Sequence, residues 1–461
     1  MDMSGYQFSL EPKDVAKVRT KYRRIVTPIP VPESIPIFEV LEKYESRSMH
    51  GQLPVVWDRA VGFQVSDPWG NQWIDFTSTI FVANAGHGHP EIVKMVRTQL
   101  DRPLLHSYTY ATLIRAEYLR YLIDHTPKQF EKAFLLSAGT EATECCLKLM
   151  RMHGNLMGKA KPGIVCFEGN WHGRTLGAQM MSYNPAQKEW IGFQDPHIFH
   201  LPFPYPWRLE AMKDPRGYFR RGMENLIAEK GLDPSKDICG FMLETFQGWG
   251  AVFYPEEFVQ EAVSFAREND ILIAFDEMQA GFGRTGRLFG YMHYNVEPDI
   301  LCCGKGASSG LPLSIVLASR EIMDLPEIGS MSSTHSANPL VCAAGLANLK
   351  ALLEDGLIEN CEKLGGVFCR RLREIGKRFS RHVRYALCKG LVGALILMDQ
   401  EGRPLSELCT RICEEAMCRG LLVVHTGRES IKVAPPLCIT EEALLEGLGV
   451  LEAVMESMLP R

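Results

Sequence analysis

The chain has 461 residues, 46% apolar and 23% charged, which is room for two to three domains and a large core. That balance excludes an intrinsically disordered chain. Fifty basic residues against 55 acidic ones leave a net charge of −5, too small a bias to draw the protein to nucleic acid or an anionic membrane by bulk electrostatics.

The first thirty residues interleave charges with no hydrophobic stretch, so no signal peptide is expected. Apolar runs such as 391–398 fall far short of a bilayer span, so no membrane segment is expected either. Fourteen cysteines are scattered, with Cys145-Cys146 and Cys302-Cys303 adjacent, a pattern predicting reduced thiols in a cytoplasmic protein. Residues 1–70 hold Pro28, Pro30, Pro32 and Pro36 and are expected to form an N-terminal arm that belongs in part to a small domain. Short apolar runs then alternate with amphipathic stretches. Runs at 164–167, 240–243, 271–275, 300–303 and 313–318 predict strands buried on both faces, as in a mainly parallel sheet. Between them Phe258, Val259, Ala262, Val263, Phe265 and Ala266 recur at helical spacing over 255–268, with Pro255 suited to the first turn. Longer helices are predicted at 339–353, at 359–379 and after Thr440. The expected division is a large α/β domain over 71–335 and a smaller α+β domain over 336–461.

Two glycine motifs need weighing first. Gly281-Phe282-Gly283-Arg284-Thr285-Gly286 has dinucleotide-binding spacing, but no apolar helix follows it and residue 306 is glycine where a ribose-binding acid is wanted. Gly304-Lys305-Gly306 lacks the Ser or Thr of a phosphate loop. More telling is the placing of charge at the ends of buried runs. Asp276 and Glu277 close one run and Lys305 follows another, at the sheet edge where α/β proteins bind ligands. Lys305 reads either as a desolvated, nucleophilic amine or as half of a buried ion pair with Asp276. Ser137-Ala138-Gly139-Thr140-Glu141 opens a helix whose N-terminus suits a phosphate. The same turn also reads as a simple cap by Thr140, with Glu141 and Glu144 complementing the dipole. A phosphate cradle, an acid and a desolvated lysine are together what pyridoxal 5′-phosphate requires.

Over residues 65–437 the sequence resembles the class III, or omega, aminotransferases of pyridoxal-phosphate fold type I. The resemblance rests on Phe275-Asp276-Glu277-Met278-Gln279-Ala280-Gly281-Phe282-Gly283-Arg284-Thr285-Gly286, Pro298-Asp299, Gly304-Lys305-Gly306 and Gly310-Leu311-Pro312, in that order. It implies an aminotransferase-like α/β fold, with a large domain built on a mainly parallel seven-stranded sheet covered by helices and a smaller α+β domain. It also implies a homodimer with sites shared across the interface. By the same resemblance Lys305 forms the Schiff base with the cofactor and then carries protons, and Asp276 pairs with the pyridine nitrogen. Gln279 contacts the ring hydroxyl, Gly139 and Thr140 bind the phosphate, and Trp171 of Trp171-His172-Gly173 stacks on the ring. Thr334 reaches the cofactor phosphate of the neighbouring subunit, and Glu244 matches the glutamate of the family's Glu-Pro-x-Gln-Gly, with Thr245 in place of the proline. The histidines of Gly86-His87-Gly88-His89-Pro90 read as structural, and no metal site is expected.

Two departures from the family bear on substrate. Lys432 stands where many members carry an arginine that clamps the α-carboxylate of glutamate, and Trp249 where some place an acid that masks that arginine. Lys432 is then expected to meet a phosphonate, sulfonate or carboxylate at the far end of an amine, with Arg428 the other candidate. The expected partners are a small amine or amino acid and an oxo-acid or aldehyde acceptor. Reprotonation on the cofactor gives transamination, the leading expectation; a β-eliminating lyase acting on an amino-phosphonate or similar anionic amine, or a racemase or epimerase, shares the same chemistry. The basic stretch Arg370, Arg371, Arg373, Lys377, Arg378, Arg381 and Arg384 reads as a solvated helix face, opposite Leu364, Val367, Leu372, Ile375 and Phe379, and not as a nucleic-acid site.

Overall fold

The computed structural model describes residues 6–459; residues 1–5 and 460–461, the outer ends of the expected domains, lie outside the described residues. The chain divides into two compact units, Pro90–Gly248 with Val252–Gly356, and Met1–His89 with Trp249–Ala251 and Leu357–Arg461. The boundaries expected at 70/71 and 335/336 therefore differ from the observed divisions near 89 and 356. The helix Pro339–Glu354 explains the second difference. Its Val341, Cys342, Ala344, Leu346 and Leu349 are buried, and it packs against the helices Pro90–Leu100 and Leu113–Asp124 of the larger unit.

The larger unit is built on seven strands. They are β1 (Lys132–Leu136), β2 (Gly163–Phe167), β3 (Ile198–Leu201), β4 (Ile238–Glu244), β5 (Leu272–Asp276), β6 (Ile300–Cys303) and β7 (Ser314–Ala318). Their order across the sheet is β1-β7-β6-β5-β4-β2-β3. All neighbours are parallel except at β7, which runs antiparallel to both β6 and β1. Every residue of β2, β4, β5, β6 and β7 is buried, as near-continuous apolar runs with helices on both faces require. Helix α1 (Gly139–Leu156) lies across the sheet and buries Ala142, Cys145, Cys146, Leu149 and Met150, one stripe at helical spacing. Helix α2 (Leu176–Met181) follows β2, and α3 (Glu256–Glu268) buries the expected apolar face, with Pro255 one position earlier than expected, as its N-cap.

The smaller unit holds two sheets. One joins Val18–Arg19, Arg24–Ile25, Gln72–Asp75, Gln64–Ser66 and Arg59–Val61, and Leu421–Leu422 pairs parallel to Gln72–Asp75. The N-terminal segment is thus not a plain extended arm: its strands find a partner some 350 residues away, which local composition cannot announce. The other sheet orders Val383–Lys389, Val392–Leu397, Ser430–Val433 and Val424–His425, all antiparallel. Ser78, Thr79, Ile80 and Phe81 form a turn of left-handed backbone with φ of 45, 49, 61 and 70°. L-residues resist that geometry by about 1–2 kcal/mol each. Ser78 Oγ donates to Ala434 O over 2.7 Å, and Asp75 Oδ1 accepts from Thr77 N and Oγ1, so both ends of the turn are pinned. His87 Nε2 lies 2.7 Å from Asp75 Oδ2, which gives this histidine a structural partner.

One expectation about the cysteines is corrected. Cys369 and Cys388 are joined as a disulfide between the helix Leu357–Arg378 and the strand Val383–Lys389, with Cα atoms 5.6 Å apart. A spacing of 19 residues that spans a helix end and a turn gave no pairing signal. The other twelve lie outside any disulfide, ten of them buried as small hydrophobes. In the basic stretch, Arg371 and Arg378 pair with Glu452 and Glu456, while Leu364, Leu372 and Ile375 are buried on the opposite face. Among the described residues no helix is long and apolar enough to cross a membrane.

Candidate active site

Three adjacent parallel strands end in the chemistry. Glu244 closes β4, Asp276 closes β5, and Gly304-Lys305 follows β6; in the registers Asp276 is paired with Glu244 on one side and with Cys302 on the other. The same sheet edge therefore presents two carboxylates and an amine in a row. Lys305 lies in left-handed backbone at φ 44°. Burial lowers the pKa of its amine, against the opposing pull of Asp276 and Glu244. Glu244 moves the other way. Burial raises its pKa well above the carboxylate range, with repulsion from Asp276 adding to the rise, although Trp171 N donates to its Oε2 over 3.0 Å.

Asp276 is 5% exposed and is held on both oxygens. Met278 N donates to Oδ1 over 3.0 Å, and His172 Nδ1–H donates to Oδ2 over 2.9 Å. Asn170 Nδ2 lies 3.3 Å from His172 Nε2, so the imidazole is held at both ring nitrogens. Thr143 Oγ1 and Ser182 Oγ hold the histidine's own backbone. The sequence reading quoted His172 in a motif and gave a role to Trp171 alone. Its signal was an isolated aspartate at a strand end, which needs a buried donor to fix its orientation. Trp171 itself is partly buried, with the Arg174 guanidinium 4.7 Å above one face of its ring.

Helix α1 begins two residues earlier than a cap by Thr140 would need. Ala138 is the N-cap and offers no side-chain acceptor, while Glu141 Oε2 reaches back to the N–H groups of Ser137 and Ala138. The N–H groups of Gly139 and Thr140 fall in the first turn, which a helix cannot satisfy internally. Thr140 Oγ1 lies 2.6 Å from Thr175 Oγ1. Glu144 does not serve its own helix: its Oε1 accepts from Gly177 N and Ala178 N at the start of α2. Two glycines are dictated by one side chain. A Cβ at Gly139 or at Gly304 would come within 2.8 or 2.7 Å of Met278 Sδ, so the phosphate-type turn and the lysine turn close on the same methionine. Gly248 likewise leaves room for the Gln279 amide.

Glu277, the other acid expected at the end of the run 271–275, is a third buried carboxylate. Glu277 receives Thr245 Oγ1–H, Gly290 N–H at 2.8 Å and Tyr291 N–H at 2.7 Å, and burial still raises its pKa to about 7. The hydroxyl of Thr245, at the position where the family has proline, is what completes this cluster. The glycine pattern 281–286 forms turns and opens no helix, as expected. Thr334 is exposed on a surface loop, its carbonyl 2.6 Å from His106 Nε2, and it joins none of the residues above.

The three substrate candidates belong to the smaller unit. The Arg428 guanidinium lies 3.9 Å above the Trp249 ring, and Nη2 is bonded to Glu429 Oε1 at 2.9 Å. Ser430 Oγ fixes the Trp249 carbonyl at 2.7 Å. Lys432, on the strand Ser430–Val433, is 4% exposed and places Nζ 4.5 Å from the centre of the Phe81 ring, at the end of the left-handed turn.

The donor set fits pyridoxal phosphate: a desolvated amine for its aldehyde, a carboxylate oriented by an imidazole for its ring nitrogen, and a helix N-terminus for its phosphate. The sheet order together with these strand ends defines a pyridoxal-phosphate enzyme of fold type I. A family model, aminotransferase class-III, matches residues 45–455, and the chain belongs to that family. An alanine/serine racemase from Pyrococcus horikoshii is 31% identical over 474 residues, covering 100% of this chain and 97% of its own. A 4-aminobutyrate aminotransferase from Mycobacterium leprae is 30% identical, covering 94% of this chain and 98% of its own. Among solved structures, an (S)-enantioselective omega-transaminase from Thermomicrobium roseum aligns with a TM-score of 0.83 at 27% identity, covering 93% of this chain and 99% of that one. The protein is a pyridoxal-phosphate-dependent aminotransferase that moves an amino group between an amine or amino acid and an oxo acid or aldehyde.

Proposed function

We propose that Lys305 is the covalent attachment point of the cofactor and that this transaminase acts on an amine with an anionic tail, which Lys432 meets. The observation that carries the first part is the desolvated amine of Lys305 between Asp276 and Glu244. Bound there, pyridoxal phosphate supplies an electron sink for negative charge at the substrate's α-carbon. The chain's own residues do the rest. Lys305 Nζ, whose pKa is lowered by burial, accepts the α-carbon proton and returns it. Asp276, fixed by His172 Nδ1–H and Met278 N–H, holds negative charge beside the ring nitrogen. Gly139 and Thr140 offer N–H groups to the phosphate, Gln279 faces the ring hydroxyl, Glu244 lies beside Trp171, and Trp171 covers one ring face.

Lys432 is favoured over Arg428 for the substrate anion because it stands where many members of the family carry the arginine that clamps a carboxylate. A homodimer is supported by the exposed Thr334, which contacts none of the residues above in its own chain. A cytoplasmic location is supported by the twelve free cysteines. The deciding experiment reduces the holoenzyme with borohydride and maps the tagged peptide. Label on Lys305 is expected; label on another lysine overturns the assignment. Racemisation is a second reading, favoured by the racemase relative that spans the whole chain. A single chiral amino acid incubated with no oxo acid distinguishes the two: racemisation proceeds to completion, while transamination stops after one turnover.

A further inference from the structure

The larger unit carries a second cavity between the segment Pro185–Ile191 and the edge strand β3. It encloses about 170 Å³, with Met180, Ile191, Phe193 and Ile198 as apolar walls and Lys188 and His200 as polar ones. Lys188 Nζ donates to Met180 O over 2.9 Å, and among the described residues no carboxylate lies within ion-pair distance of it. The one acid in the wall, Asp195, is taken up by the Arg151 guanidinium at 2.8 Å. His200 adds no charge: its Nε2 bonds Met181 O at 3.0 Å, and burial, reinforced by the Lys188 charge, lowers its pKa to about 4. The amine is half-buried, and burial lowers its pKa as well. The half-exposed amine thus stands at a partly apolar hollow with one carbonyl as its hydrogen-bond partner, and an anion seated there would give it a second. An apolar cavity of about 150 Å³ accepts benzene, so this one has room for an aromatic ring, with a carboxylate turned to the amine.

We propose that this cavity is a binding site for a small apolar carboxylate the size of benzoate, with the carboxylate on Lys188 Nζ and the ring against Met180, Ile191 and Ile198. The site is distinct from the strand ends that carry Lys305, and the proposal stands whatever role that lysine has. The test titrates the holoenzyme with benzoate by calorimetry while the visible absorption of the cofactor is recorded at each addition. The expected result is one site per chain with an unchanged cofactor band, binding at least about tenfold weaker in Lys188→Met, and transaminase activity retained in that variant. Ile191→Trp, which fills the hollow and keeps the amine, is expected to abolish binding and decides the matter if Lys188→Met does not fold. No heat up to about 20 mM benzoate, equal binding in the variants, or heat that tracks a change in the cofactor band would overturn the proposal.

Discussion

At the scale of single residues, the proposed site depends on a side chain that bonds Asp276 as well as on those that would meet a ligand. His172 is a positioning residue. It keeps Asp276 oriented by a hydrogen bond to a charged acceptor, which is worth about 1.5–3 kcal/mol. His172→Leu is expected to lower kcat by about ten- to a hundredfold with little change in KM, and His172→Gln, whose amide N–H can reach the same oxygen, to recover part of that loss. Steady-state kinetics on the two variants checks this, since a merely structural role would lower both equally. Lys432 makes the opposite prediction. Lys432→Met is expected to raise KM for anionic amines by about tenfold or more with kcat retained, and Lys432→Arg to shift preference toward substrates with an α-carboxylate, because the fork binds it at two points. A screen of amine and oxo-acid pairs reads both. Lys305 and Asp276 were legible in the sequence because each ends an uninterrupted apolar run, where charge has no structural excuse. His172 was not, because its role exists only once β5 and the segment after β2 are side by side.

Between elements, Glu277 is the joint. Its carboxylate ties Thr245, just past β4, to the backbone at Gly290 and Tyr291. Its pKa is raised from 4.5 to about 7, so the folded state holds a proton that the unfolded chain has lost. The contribution to stability is thus full below about pH 4.5 and is lost as the pH rises to 7 and beyond, with a slope of up to about 1.4 kcal/mol per pH unit. Glu277→Gln is expected to remove that slope. Urea midpoints for the two proteins should therefore diverge in the variant's favour across this window, and parallel curves would refute the assignment. The central strands were readable because both their faces are buried, whereas β3 sits at a sheet edge and carries His200, which breaks its apolar run. The fragmentary strands before residue 75 could not be read, since Ile74 pairs with Leu421 and neither segment alone has strand length.

For the whole molecule, the exposed Thr334 makes a test of assembly. If it serves the partner's cofactor, Lys305→Ala and Thr334→Glu should each be inactive alone. Dissociated and reassociated together, they should regain about a quarter of wild-type activity, because each mixed dimer rebuilds one intact site. No recovery, with a monomer's mass in solution, would overturn the shared site.

The left-handed turn at 78–81 has a consequence for how this protein can change its substrate. A backbone wound against its natural hand stays so only while its clasps hold, and one clasp is the single hydroxyl of Ser78 on Ala434. Loss of that hydroxyl frees the segment to rewind the ordinary way and swings the Phe81 ring from beneath the Lys432 amine. If Lys432 meets the substrate anion as proposed, selectivity shifts through a buried serine, and a search confined to the walls of the site would miss it.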